Sequence, residues 1–367
     1  MTRSTSWIEG FVNPNDKEVL MENVERRKGW EVAMELEAAK PTILERLKPE
    51  RSEIVAALWG FAVFGVVFVI GCWLAGNPFE GFARLPSEVV KAHNWVGTNN
   101  WMIFWGVVGL AVILEFLDAS AGMGYGAAMT PLLLVMGFDP KQVVPAVMIQ
   151  QATAGMVGAF LHKEFGNVEW RFKPMSEPIK LAIIIAVTGC LTVALSVTAV
   201  YAVFKVHKVW IKLYVVVLLL MMGGVMLVRG RKERPYKPFK MLFFAALAGF
   251  NKGVGGGGYG PVVTVGGLLS GVPVKSMLAV TAISEGTVCV FSIIVWLTLA
   301  LGGGITIDYL LLPSMLLGSM VAAVAAPYAV KVFPSKLWRW VVPIYCIFLG
   351  AYSFYKIGPA LMKQLAG

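Results

Sequence analysis

The chain alternates long apolar runs with short charged stretches, the pattern of a protein that crosses a bilayer repeatedly. An α-helix needs about 20 apolar residues to span hydrocarbon, and Ile54 to Ala75 supplies 22 without a charge. Six further runs have span length: Val143 to Leu161, Leu181 to Phe204, Leu213 to Val228, Met277 to Leu301, Tyr309 to Val330 and Leu337 to Tyr355. Lysine or arginine near an end of the last ones can snorkel to the interface.

Two segments interrupt this pattern with glycine: Gly122-Met-Gly-Tyr-Gly126 and Gly256-Gly-Gly-Tyr-Gly260. They lie 134 residues apart and align without a gap from Phe116/Phe250 to Thr153/Thr287. Eleven of these 38 positions are identical, among them Thr130/Thr264, Gly137/Gly271 and Lys141/Lys275. In the second copy the flanking apolar arms are Met241 to Phe250 and Pro261 to Leu269. Ten helical residues reach only ~15 Å, about half the hydrocarbon thickness. Each pair of arms therefore predicts a re-entrant hairpin, with the irregular backbone buried in protein or lining a wet cavity. Pro261 suits the first position of the second arm. Three spans follow each hairpin. A second echo, Gly166-Asn167-Val168-Glu169-Trp170 and Ile305-Thr306-Ile307-Asp308-Tyr309, recurs at an offset of 139.

A hairpin adds zero or two crossings and three spans follow, so each half crosses an odd number of times and the halves are inverted. The expected fold is an all-α polytopic membrane protein. It has two inverted repeats, each a Gly-broken re-entrant helix hairpin plus three transmembrane helices, preceded by one extra N-terminal transmembrane helix. The expected segments are a cytosolic N-terminal segment (1–52), the extra helix (53–75), an extracytoplasmic linker (76–100), repeat 1 (101–228), a basic cytoplasmic loop (229–240) and repeat 2 (241–367). Trp30, Val32, Met34 and Leu36 in the N-terminal segment suggest cover for an interfacial surface.

Composition removes the soluble classes: 57% hydrophobic and 15% charged residues, with mean hydropathy +0.70. The first apolar run comes too late for a secretory signal and reads as a retained span. The net charge of +10 sits mainly in loops and the N-terminus; Arg229, Arg231, Lys232, Arg234, Lys237 and Lys240 face one acid, Glu233. The positive-inside rule places that loop, the 162–180 loop, the 331–336 turn and the N-terminus in the cytoplasm, and the C-terminus outside the inner membrane. Contact with anionic membrane lipid accounts for the basic loops, without nucleic acid. Cys72, Cys190, Cys289 and Cys346 lie in apolar segments without metal-type spacing, as buried free thiols do.

Paired helix interruptions point to a binding site in a transporter. A helix start exposes unpaired N–H groups and a partial positive charge, and glycine lets a ligand approach the backbone. Gly122, Gly124, Gly255, Gly256, Gly257 and Gly258 thus suit a small anionic substrate. The competing reading is tight helix crossing, since Gly122/Gly126 and Gly249/Gly253 also satisfy Gly-x-x-x-Gly. Gly253-x-Gly255-x-x-Gly258 imitates a dinucleotide fingerprint but has no strand–helix–strand context. With no phosphate-binding Gly-Lys-Ser/Thr loop either, direct ATP drive is not expected.

Charges at membrane depth are functional candidates. Asp118 and Lys252 occupy equivalent repeat positions; Lys252 can hold substrate charge, or the two can form an ion pair that locks the hairpins, and Glu115 lies one turn before Asp118. Gln150, Gln151 and Thr153 match Ser284, Glu285 and Thr287 in the next span. Glu285 is a candidate for proton coupling, a counter-charge to Lys252, or a hydrogen-bonding role. Asn251, Tyr125 and Tyr259 add donors beside the breaks, and the tyrosine rings can equally pack on the glycines. His93, His162 and His207 lie in linkers or loops and read as solvated residues, with a proton role as the lesser alternative for His162. No nucleophile–base pair, metal-ligand spacing or cofactor motif is present, so no enzyme, metal or cofactor is expected.

On the Gly-rich segments at Gly122 to Gly126 and Gly253 to Gly260, and the Gly166 to Trp170 loop, the chain resembles the sulfite exporter TauE/SafE family, also called toluene sulfonate uptake permeases. The resemblance covers roughly residues 105 to 355 and leaves the first 100 outside. It implies secondary transport of a sulfur-containing anion, sulfite or an organosulfonate. A passive anion channel, and a non-transporting subunit that binds a partner through the N-terminal segment, remain open at this point. So does homo-oligomerisation.

Overall fold

The computed structural model describes residues 29–75, 103–122, 124–136, 138, 140–197, 208–229, 236–255, 258–301 and 307–366. Among these the regular elements are α-helices: α1 (Val32–Ala39), α2 (Ile43–Arg46), α3 (Arg51–Ala75), α4 (Trp105–Ala121), α5 (Tyr125–Val135), α6 (Pro140–Glu164) and α7 (Glu177–Val197). Then follow α8 (Lys208–Arg229), α9 (Pro238–Gly255), α10 (Tyr259–Leu269), α11 (Val274–Leu301), α12 (Leu312–Val332) and α13 (Ser335–Ala366). Spans of membrane length and hydropathy lie in six of them, α3, α6, α7, α11, α12 and α13. The 22 residues of α8 reach ~33 Å, enough for a seventh crossing. The chain is a polytopic all-α membrane protein.

The repeat is visible element by element. At the offset of 134, α4 matches α9, α5 matches α10 and α6 matches α11. The hairpins differ from expectation. Their second arms, α5 and α10, have 11 residues and are half-length, but the first arms have 17 and 18. At ~27 Å, α9 nearly crosses the hydrocarbon. It continues through Asn251 and Lys252 because Lys252 finds buried partners, so its polarity does not stop the helix. Pro261 is the third residue of α10, which starts at Tyr259 after a left-handed glycine.

Packing exchanges elements between the halves. α4 lies along α12, and α9 along α7. Gly249 and Gly253 face Gly189, Thr192, Val193 and Ser196, while Gly318 sits against Val108 and Ala111. Small residues let helix backbones approach in a bilayer, where apolar burial gives no drive. The helix-crossing reading is therefore right for Gly249 and Gly253. α6 crosses α11: Pro145 lies near Trp296, Gly155 against Gly286 and Gly158 against Ala282, so the two run antiparallel. α8 and α13 do likewise, with Gly223 against Ile347 and Gly350 against Leu220. A Cβ on Gly155 would lie 2.6 Å from the Ala282 carbonyl oxygen. This close crossing brings Gln151 and Glu285 together.

The extra helix α3 packs on α12 and α6 through Gly60 and Gly71, and its outer face exposes Leu58, Trp59, Val66 and Trp73, as suits lipid. Trp30 is buried, edge-on to Tyr236 at 5.9 Å, and is no interfacial cover. His93, His207, Lys232 and Arg234 fall outside the described residues.

Candidate functional site

Both breaks turn on glycine. α4 ends at Gly122 in the left-handed region (φ 71°), where its N–H closes on the Asp118 carbonyl at 2.7 Å. Gly124 and its repeat equivalent Gly258, just before α5 and α10, have φ of 117° and 84°. An L-side chain there costs roughly 1–2 kcal/mol, which explains glycine at both positions. The first break docks on the opposite half. The Thr264 hydroxyl, on α10, meets the Gly122 carbonyl at 2.8 Å and the Thr281 hydroxyl at 2.9 Å. Gly256 and Gly257 lie outside the described residues, and Gly255 closes α9.

Lys252 stands in the last turn of α9, 1% exposed. Its Nζ donates to Gln151 Oε1 at 2.6 Å and Glu285 Oε1 at 3.0 Å, and Gln151 Nε2 donates to the same Glu285 oxygen at 3.0 Å. The triangle joins α9, α6 and α11, hence both halves. Gln151 and Glu285 are repeat equivalents, so one repeat position supplies an amide in one half and an acid in the other. The neighbouring Gln150 donates to Glu115 Oε2 at 2.6 Å.

The expected Asp118–Lys252 pair does not form. Lys252 takes Glu285 instead, while the Asp118 carboxylate faces the backbone N–H of Tyr125 at the start of α5, its Oδ1 without a hydrogen-bond partner among the described residues. A helix N-terminus holds an acid well, and Asp118 is one break away from it in sequence. Thr287 is also displaced from the site: its hydroxyl returns to the Ile283 carbonyl at 2.8 Å, as that of Thr153 does to Ile149 at 2.9 Å. Tyr125 and Tyr259 are fully buried, with Tyr259 packed on Gly189, and Asn251 is buried with neither amide atom hydrogen-bonded among the described residues.

A cavity of about 30 Å³ opens between these groups, walled by Glu115, Asp118, Gly122, Gln151, Thr281 and Glu285. It has room for one or two waters. His162 also lines it, against expectation. It is no loop residue but fully buried in the last turn of α6. Asn167 Nδ2 lies 3.1 Å from His162 Nδ1 and donates to the Pro327 carbonyl at 2.9 Å. An amide oxygen there would repel that carbonyl, so Nδ1 accepts and Nε2 carries the proton. Sequence reasoning missed His162, Asn167, Thr264 and Thr281. Asn167 sits in the Gly-Asn-Val echo and Thr264 among the identical repeat positions, so each left a signal.

Within the described residues no His, Cys, Asp or Glu group has metal-binding geometry. The four cysteines are free thiols, three of them buried. Three acids line this cavity, Glu115, Asp118 and Glu285, and one lysine, Lys252, reaches Glu285 from outside it, so charge balance rests on protons or a bound ion.

Repeated halves, broken helices and buried charge at their junction define a membrane transporter of the broken-helix class. The family model for sulfite exporter TauE/SafE matches residues 107–353, and the chain belongs to that family. It is similar to the "Probable membrane transporter protein YtnM" of Bacillus subtilis (strain 168), 26% identical over 261 residues, covering 68% of this chain and 81% of that protein. No solved structure matches the chain.

Proposed function

We propose that the protein is a secondary transporter that moves a small sulfur-containing anion, sulfite or an organosulfonate, outward across the cytoplasmic membrane, coupled to protons. The observation that carries this reading is the Lys252–Gln151–Glu285 triangle beside the second glycine break. A substrate oxygen can replace Glu285 on Lys252 Nζ. Glu285, then buried without its cation, takes up a proton, because an unpaired buried carboxylate is costly. Anion and proton thereby bind together.

The two breaks are unequal partners. Asp118 fills the start of α5, whereas no side chain caps α10 after Gly258. N–H groups of Gly258, Tyr259 and Gly260 belong to that helix start, and Pro261 has none. A sulfonate or sulfite offers three oxygens to such donors. The halves are inverted on this reading, since antiparallel crossing of the equivalent helices α6 and α11 is what an in-plane two-fold axis produces. The N-terminus lies in the cytoplasm and the C-terminus outside. A cavity of about 30 Å³ fits an occluded carrier better than an open channel.

The test is a thermal-shift panel on the purified chain with sulfite, sulfate, sulfoacetate, taurine and carboxylate analogues, followed by proteoliposome flux. A ligand at a hundred times its dissociation constant adds ~2.7 kcal/mol of stability. No shift with any of these anions would overturn the reading.

A further inference from the structure

Residues 29–53, outside the family-matched region, lie across one end of the bundle. Their anchor is Glu37, on α1. Its Oε1 accepts from the Ser335 N–H at 3.0 Å, the Ser335 hydroxyl at 2.6 Å and Lys275 Nζ at 2.9 Å. Ser335 is the first residue of α13, so its N–H is one of the donors a helix start leaves unpaired. Lys275 is 1% exposed and is steadied by the Lys331 carbonyl at 3.0 Å. A buried lysine, a helix-start N–H and a hydroxyl converging on one oxygen make an oxyanion cradle, and all three donors belong to the transporter core. Only the carboxylate comes from the added segment.

The same segment is tied down beside the cradle. Glu53 Oε2 accepts from Lys331 Nζ at 2.7 Å, and the Tyr328 hydroxyl donates to the Leu47 carbonyl at 2.7 Å. Lys275 stands ten positions before Glu285 on α11, ~15 Å along the helix, so both charged sites share one rigid element.

We propose that the Lys275–Ser335 cradle is a second oxyanion-binding site, filled in this state by the Glu37 carboxylate, and that a small oxyanion such as acetate or sulfite displaces Glu37 and releases α1 from the bundle. The segment is thus an internal surrogate ligand that holds one end of α11 and α13 together until anion concentration rises. The tethered carboxylate competes at high effective concentration, so the intact protein resists displacement at low anion levels.

The proposal stands apart from the transport site and is tested without flux. Calorimetric titration of full-length Glu37→Ala with acetate should show binding at least about tenfold tighter than wild type, the worth of a charge-assisted hydrogen bond. Adding Lys275→Met, which removes the cation of the cradle, should abolish that gain. No gain in Glu37→Ala, or a gain that survives Lys275→Met, overturns the cradle. In wild-type protein, acetate or sulfite should speed hydrogen exchange of residues 32–39, and Glu37→Gln should speed it without any anion. Unchanged exchange in both overturns the displacement. A wild-type protein that binds no sulfite yet shows the acetate gain in Glu37→Ala refutes the transport reading alone.

Discussion

Replacing Lys252 by methionine keeps the length of the stem and deletes the charge at the centre of the site. The ion pair is 3.0 Å long, with Lys252 0% and Glu285 11% exposed at the side chain. At an effective dielectric of about 20 the attraction is ~5 kcal/mol. Most of it offsets desolvation of the pair, but the single variant forfeits the attraction and leaves Glu285 buried without its cation, so that it must be protonated at a cost in stability. The expected loss is therefore ~3–5 kcal/mol, a fall in melting temperature of about 4–6 °C by the scaling for a chain of 367 residues. Lys252→Met with Glu285→Gln removes both charges and should recover more than half of that loss, while anion binding stays absent because the cation is gone. Thermal denaturation and sulfite titration of the two variants in detergent decide it. A single variant melting within about 1 °C of wild type, or a double variant no more stable than the single, refutes the claim that the pair is a buried, mutually dependent unit. Normal sulfite affinity in the double variant refutes the substrate role of Lys252.

Thr264→Val deletes the hydroxyl that meets the Gly122 carbonyl and should cost about 1 kcal/mol, read by thermal denaturation, with faster hydrogen exchange at residues 119–125. Gly155→Ala puts a methyl 2.6 Å from the Ala282 oxygen; α6 and α11 must part, with a loss of at least ~1–3 kcal/mol and weakened anion binding. Asn167→Ala strips the donor from His162 Nδ1 and the Pro327 carbonyl, for ~1–3 kcal/mol, and nitrogen NMR should then show mixed imidazole tautomers where wild type shows Nε2–H. Glu37 lies below the usual carboxylate range: burial alone pushes it up, but the Ser335 and Lys275 contacts outweigh burial. A depressed folded-state pKa gives stability that is complete above the ordinary carboxylate value and lost as pH falls through the lowered one. Lys275 is the cation that Glu37 faces, and Arg46 lies near that lysine. Exchange at residues 32–39 should accelerate only in acid, and Glu37→Gln should remove that pH dependence.

The fold was legible in the sequence because its cause is periodic and local. Apolar run length marked the spans, and the ungapped repeat marked where both breaks fall. What failed was decided by partners. The apolar arm read from the sequence stops at Phe250; α9 passes on through Asn251 and Lys252 because Gln151 and Glu285, 101 and 33 residues away, accept the lysine. His162 reads as a loop residue because it adjoins charged residues; the structure buries it in the last turn of α6, with Asn167 Nδ2 3.1 Å from its Nδ1. Glu285, which has no base near it in sequence, reads as a proton-coupling group, a counter-charge to Lys252 or a hydrogen-bonding residue; the structure sets it 3.0 Å from Lys252 Nζ. Thr287 was named on position alone; a hydroxyl that can bond back to its own helix needs no site.

The inequality of the halves follows from one repeat position. Asp118 and Lys252 each precede a glycine break, and each break precedes a short helix with a positive start. An acid there turns onto its own helix start, so half one supplies its own anion. A lysine cannot, and so leaves α10 uncapped by any side chain while adding a second positive group beside it. Exchanging the two, Asp118→Lys with Lys252→Asp, should on this logic move the anion preference to the first break without abolishing it, at the cost of the Glu285 pair. Two equal anion sites per wild-type chain by titration would contradict the argument, since identical breaks would then bind alike whatever stands at this position.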